Sequence, residues 1–220
     1  MTFEELKDIL VAACHEQHAC AVGFKEILAA ENVGMLAMAI RHHWDDGYNG
    51  AFFDTIKNNI INFMNFEDDF AGAGIFFNKS SSHGIVVVSN NTEKISISGD
   101  AECYAFDKCY VDALENAQLY CKIPDSTILV DDKATAFLEN QDGCIVKGNG
   151  MVNLINCKDV RCFNRPYINA KDCLIHAYDF SRIEAYGTTE VYLYGHTAIT
   201  PDNAKNYNLI LKDTSKIIYK

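Results

Sequence analysis

No stretch of this chain is apolar for long enough to cross a membrane, which takes about 20 residues. The opening residues Met1-Thr2-Phe3-Glu4-Glu5 have no basic segment and no apolar core, so no secretory leader is expected. Positive charge is scarce: 19 Lys and Arg face 30 Asp and Glu, for a formal net charge of −11. Such a chain repels phosphates, which argues against direct binding to nucleic acid or to an anionic membrane surface. It leaves room for an acidic protein that competes with nucleic acid for a basic partner. Nine cysteines make an odd count and no Cys-x-x-Cys pair. We therefore expect free thiols in a reducing, cytoplasmic setting rather than a disulfide framework. What is present is a hydrophobic fraction of 49% in 220 residues, enough for a sizeable core in one large or two small domains.

The first 70 residues have helical periodicity. Thr2 and Glu5 match a capping box ahead of Leu6, Ile9, Leu10 and Ala13. A second helix is expected from about Cys20 to Ala30, with Val22, Leu28 and Ala29 available for burial. Asn32 can cap a third, which carries Met35, Leu36, Met38, Ala39 and Ile40 and ends near Gly47. The spacing predicts a fourth over Phe52 to Phe66, with Ile56, Ile60, Ile61 and Met64 on one face. These short helices are expected to form a capping or docking domain over 1–70. Residues 71–84, with Ala71-Gly72-Ala73-Gly74 and Lys79-Ser80-Ser81-Ser82-His83-Gly84, read as a linker and first turn.

From about residue 85 to 220 the chain repeats every eight residues. Clear copies begin at Ile175, Ile183 and Val191, and others at Ile95, Cys103, Val111, Leu119, Ile128, Ala136, Cys144, Val152, Val160, Ile168, Ile199, Leu209 and Ile217, with small length slips after Leu119, Ile168 and Ile199. First and third positions are apolar and second and fourth mixed, which is the alternation of a short strand. The fifth position is mostly Asp, Asn, Gly or Glu, which suits a turn. One such strand cannot bury its face, but stacked coils can. The fold class expected is therefore mainly β with a helical N-terminal domain: a parallel β-helix, or β-solenoid, with Ile95, Val111, Ile128, Val152, Ile175, Ile183 and Val191 pointing inward. Lys122, Lys147, Lys171 and Lys220 hold the fourth position of every third copy, with Tyr194 breaking the series. That favours a three-sided coil of three octads over a coil of two.

The copies from Ile175 to Ala198 resemble those of hypothetical octapeptide-repeat β-solenoid proteins of gut bacteria and their phages or mobile elements. The segment His18-Ala19-Cys20-Ala21-Val22-Gly23-Phe24 is similar to an Ala-Cys-x-x-Gly helical segment at the front of some of them. The resemblance implies this fold and a mobile-element setting. It implies no activity.

Candidate site residues are few. Cys14 and His18, four apart on a helix, are the weak metal candidates, with His15, Cys20, His42 and His43 nearby. Buried helix-end cysteines are the commoner outcome, so no metal or cofactor is expected. Cysteines 103, 109, 121, 144, 157, 162 and 173 replace apolar residues of other copies and are expected in the core. Asp112, Asp131, Asp132 and Glu139 could pair as in a glycosidase, but turn carboxylates belong to such a repeat anyway. Tyr178, Tyr186, Tyr192 and Tyr194, with Lys122, Lys147 and Lys171, form the candidate interaction surface. With three octads to a coil Tyr178, Tyr186 and Tyr194 fall on three faces. With two, Tyr178 and Tyr194 stack.

The leading expectation is a non-catalytic binding or scaffold protein displaying a rigid acidic solenoid surface. An acidic inhibitor of a host nucleic-acid-binding protein and a carbohydrate-active β-helix enzyme are the alternatives. A protein partner is expected, with no direct nucleic-acid contact and no membrane. The chain ends on Ile217-Ile218-Tyr219-Lys220, which still reads as strand, so a homo-oligomer, most simply a dimer, is expected as well.

Overall fold

The computed structural model of the protein describes residues 1–16, 20–44, 53–89, 91, 93–106, 109–121, 127–178, 181–194, 209–211 and 216–219, of which 53, 54, 193 and the last two stretches are described by backbone alone. The chain divides into two compact units, Met1–Phe77 and Asn78–Lys220. The boundary falls inside the stretch expected to be a linker. That stretch is in fact partly ordered structure, since it contains the end of a helix and a strand.

The first unit holds α1 (Phe3–Glu16), α2 (Ala21–Ala29), α3 (Val33–His42), α4 (Phe53–Met64), α5 (Glu67–Gly72) and β1 (Ile75–Phe77). Its capping box forms in both directions: Thr2 N–H donates to Glu5 Oε2 at 2.7 Å, and Glu5 N–H to Thr2 Oγ1 at 3.3 Å. Asn32 Oδ1 accepts from Met35 N–H at 2.9 Å and starts α3. The core gathers Leu6, Leu10, Ile27, Leu36, Ile40 and Phe63. Several of the apolar residues expected inside are instead exposed. Val22 and Leu28 lie on the outer side of α2, whose buried residues are Gly23 and Ile27. Met35 and Met38 are exposed on α3, and Ile61 on α4, where Phe63 goes in. Each of these helices has more apolar positions than one stripe can bury, and packing against neighbours selects the stripe.

The second unit is a parallel β-solenoid. Its strands are β2 (Ile85–Val88), β3 (Lys94–Ile97), β4 (Glu102–Ala105), β5 (Tyr110–Ala113), β6 (Gln118–Cys121), β7 (Thr127–Val130), β8 (Thr135–Glu139) and β9 (Ile145–Gly148). They continue as β10 (Met151–Ile155), β11 (Val160–Cys162), β12 (Tyr167–Lys171), β13 (Leu174–Ala177), β14 (Arg182–Tyr186), β15 (Glu190–Leu193), β16 (Leu209–Leu211) and β17 (Lys216–Tyr219). Even-numbered strands from β2 to β16 form one parallel sheet in chain order, and odd-numbered strands from β3 to β17 form the other. The seven residues expected inward are all buried, as are the seven solenoid cysteines.

The coil is not three-sided. Partners across the ladder are Met151 and Tyr167, Lys94 and Tyr110, or Leu174 and Glu190, each sixteen residues apart. Sixteen residues hold two octads, so successive octads alternate between the two sheets. The last coil is longer, with Glu190 opposite Lys216. Small interior residues such as Ala136, Ala170, Ala177 and Ala185, all buried, let the two sheets approach closely.

Corners explain the fifth position. Gly99, Glu115, Asp132, Asn140, Gly148, Asn156, Asn164, Asp172 and Gly187 all have positive φ, and each stands fifth in its octad. A left-handed residue turns the chain from one sheet to the other, and Gly, Asn and Asp tolerate it best. Side chains at these corners also tie coils together. Glu115 Oε2 accepts from Gly99 N–H at 2.8 Å, and Asn156 donates to Asn140 Oδ1 at 2.6 Å.

Candidate functional site

Two octads per coil decide which outward residues are neighbours. Tyr178 and Tyr194 follow directly on β13 and β15 of one sheet, one coil apart, and stack with ring centroids 4.7 Å apart and planes 15° apart. Phe163 stacks on the other side of Tyr178 at 4.8 Å and 6°. A parallel column beside it holds Arg161, His176 and Tyr192. His176 stacks on Tyr192 at 5.1 Å, its Nδ1 lies 2.9 Å from the Tyr194 hydroxyl, and its Nε2 lies 3.4 Å from Asp159 Oδ1. Arg161 donates to both Asp159 oxygens, at 3.3 and 2.8 Å. Tyr178 has a ring on each face, so it offers solvent only an edge and its hydroxyl. A sugar stacks on a ring face, so this ladder is not a sugar platform at Tyr178.

Tyr186 is on the opposite sheet, in register with Lys171. Its hydroxyl donates to Glu184 at 3.1 Å, and Tyr167 donates to the same carboxylate at 2.6 Å. That bond, with burial and the neighbouring charge adding, holds the Tyr167 phenol above its ordinary range. The Arg182 guanidinium sits 4.7 Å over the Tyr167 ring.

The lysine ladder does not form. Lys147 is on β9 of one sheet and Lys171 on β12 of the other, because residues 24 apart land on opposite sheets when a coil takes sixteen. Lys122 and Lys220 lie outside the described residues.

The sheet of even strands carries a different surface. Tyr104, Tyr120 and Phe137 stack at 4.9 and 5.1 Å. Beyond them Phe137, Met151 and Ile155 are exposed by 39%, 41% and 51%. Ile155 stands in register between Glu139 on one coil and Lys171 on the next.

Among the described residues no group of three or more His, Cys, Asp or Glu could hold a metal ion. Cys14 is buried, burial followed by the nearby Cys20 pushes its thiol up, and His18 lies outside the described residues. Two of the candidate glycosidase carboxylates have structural partners. Asp112 pairs with Lys94 at 2.8 Å, and Asp131 accepts from Asn149 N–H at 2.9 Å. Asp132 is a left-handed corner, and Glu139 is on the other sheet.

Charge is unevenly divided between the units. Met1–Phe77 carries twelve carboxylates against four Lys and Arg, a net of −8, and Asn78–Lys220 carries eighteen against fifteen, a net of −3. The formal negative charge is therefore concentrated in the helical unit.

Residue counting could have found the aromatic columns, since Phe163, Tyr178 and Tyr194 recur at one-coil spacing. Phe137, Met151 and Ile155 gave no such signal, because an isolated apolar residue at an outward position is ordinary. No protein-family model matches the chain, nor does any curated protein or solved structure. Among the described residues no helix is long and apolar enough to cross a membrane.

Proposed function

We propose that the solenoid is a non-catalytic binding or scaffold element and that its even-strand face around β8, β10 and β12 is the contact surface, with a second copy of the chain as partner. The observation that carries this reading is the placement of exposed Ile155 between Glu139 and Lys171. A two-fold axis along β10 reverses the coil order and keeps the strand positions. Ile155 then faces Ile155 of the second copy, Met151 faces Met151, and Glu139 faces Lys171 in both directions. That is the self-complementarity an isologous dimer needs. The low net charge of the solenoid supports close approach of two copies. Nine free cysteines support a cytoplasmic, reducing location.

Sedimentation velocity on the full chain tests the reading. A concentration-dependent dimer is expected at micromolar protein. Ile155→Glu sets two carboxylates against each other and should give a monomer. Glu139→Lys should weaken the dimer, and adding Lys171→Glu should restore it. A wild-type protein that stays monomeric at 100-fold higher concentration, or a double variant no better than the single, overturns the proposal.

A further inference from the structure

Of the nine cysteines, Cys20 alone is exposed. It is the N-cap of α2, and its sulfur accepts from Gly23 N–H at 3.3 Å. His43, just beyond α3, places Nδ1 3.7 Å from Cys20 Sγ. The other ring nitrogen, Nε2, lies 3.4 Å from Glu26 Oε2. His42 Nδ1 lies 3.5 Å from the same oxygen. Gly23 holds the geometry together. A Cβ there would meet His43 Cγ at 3.0 Å, His43 Cδ2 at 3.1 Å and Cys20 Sγ at 3.3 Å. A side chain there would push imidazole and thiol apart by a few tenths of an ångström, which gives the Cys-x-x-Gly spacing a physical reason. A groove of about 400 Å³ between α2 and α3 is lined by Ala29, Met35, Met38 and Ala39 together with Glu26 and His42, and Glu26 is the residue it shares with the Cys20–His43 pair.

We propose that Cys20, His43 and Glu26 form a nucleophilic acyl-transfer site, with Cys20 the nucleophile, His43 the proton carrier and Glu26 the positioning residue, and that it takes an ester or thioester whose apolar acyl chain lies in the α2–α3 groove. A nucleophile, a base within reach and a group orienting the base are the parts such chemistry requires. The Cys20 Sγ–H proton passes to His43 Nδ1 as sulfur bonds to the carbonyl carbon. The carbonyl electron pair moves to oxygen, where the N–H groups heading α2 at Ala21 and Val22, which have no intrahelical acceptor, stabilise it. Collapse expels the alcohol or thiol, which takes the proton from Nδ1, and the acyl group stays on Cys20 as a thioester. Water then attacks that carbon and gives its proton to Nδ1. The carbon–sulfur bond breaks, the proton returns to sulfur, and the acid leaves. The net change is ester plus water to acid plus alcohol, or the thioester equivalent. This site lies in the helical unit and is independent of the solenoid contact.

The test uses the full chain with p-nitrophenyl octanoate at pH 6.5, following p-nitrophenolate release and mapping the octanoyl group by peptide mass. Expected are a burst of one equivalent per chain, octanoylation of Cys20, and a rate at least tenfold above that of glutathione. His43→Ala should slow acylation at least tenfold, and Gly23→Ala should do the same by displacing the ring. Glu26→Gln should change the pH profile of acylation, with Glu26→Asp recovering part of it. Labelling elsewhere than Cys20, or a wild-type rate equal to that of glutathione, overturns the proposal even if a variant fails to fold. So does a folded His43→Ala that acylates at the wild-type rate.

Discussion

Tyr178 and Tyr194 stack at 4.7 Å although sixteen residues separate them, and Phe163 covers the remaining face of Tyr178. The contact exists because one coil of the solenoid returns the chain to the same place on the same sheet after two octads.

Removing the middle ring should cost two aromatic pairs. Each such pair contributes about 0.5–1.5 kcal/mol beyond its buried area. Tyr178→Ala should therefore destabilise the solenoid by roughly 2 kcal/mol, and Tyr178→Phe by much less. Urea unfolding followed by the β signal in circular dichroism measures both. Equal midpoints for Tyr178→Ala and the wild type would show that the ladder adds nothing to stability.

Corner glycines differ from corner asparagines in what they touch. Gly148 has a φ of +102°, and a Cβ there would strike the Val130 carbonyl oxygen. Gly148→Ala meets both a forbidden backbone region and a backbone collision, so a loss of roughly 2–4 kcal/mol is expected. Asn156, at φ 52°, should accept glycine with little change apart from its bond to Asn140. A tolerated Gly148→Ala would mean that the β9 corner relaxes more than its neighbours allow.

Interior thiols give the solenoid an alkaline limit. Burial pushes the Cys103 and Cys162 thiols well above their ordinary range, with Cys121 adding at Cys103. Burial does the same at Cys144, helped by Cys121, Cys162 and Cys157. An unfolded thiol ionises near about 8.5. Above that pH the unfolded chain has lost protons that the folded chain keeps, so stability falls as pH rises. The slope reaches about 1.4 kcal/mol per pH unit for each thiol, until the folded thiol itself ionises. Below pH 8 these groups give no slope. Denaturation midpoints between pH 7 and 10 should be level at first and then drop, and Cys162→Ala should remove one thiol's share of the drop. A level profile up to pH 10 would contradict it.

Asn32→Ala removes the acceptor for Met35 N–H at the start of α3 and should cost about 1 kcal/mol. Hydrogen exchange at the amides of the first turn of α3 reports it directly, and unchanged protection there would deny the cap any role.

Alternation within a strand is local, so the sequence by itself determined which solenoid side chains point inward: Ile95, Val111, Ile128 and their counterparts are apolar every second residue, and the corner residues are those that accept positive φ. The helix starts at Thr2 and Asn32 were legible for the same reason, since a cap acts on amides two or three residues away. Which apolar stripe each helix buries was not, and Val22 and Ile61 went outward where Ile27 and Phe63 went in. Nor was the number of octads in a coil, because closure depends on how near two sheets can pack across their small interior residues. That distance is a property of the stack. Only the tertiary structure could therefore part Lys147 from Lys171, bring Tyr178 to Tyr194, flank Ile155 with opposite charges, and carry His43 across the packing of α2 and α3 to the thiol of Cys20.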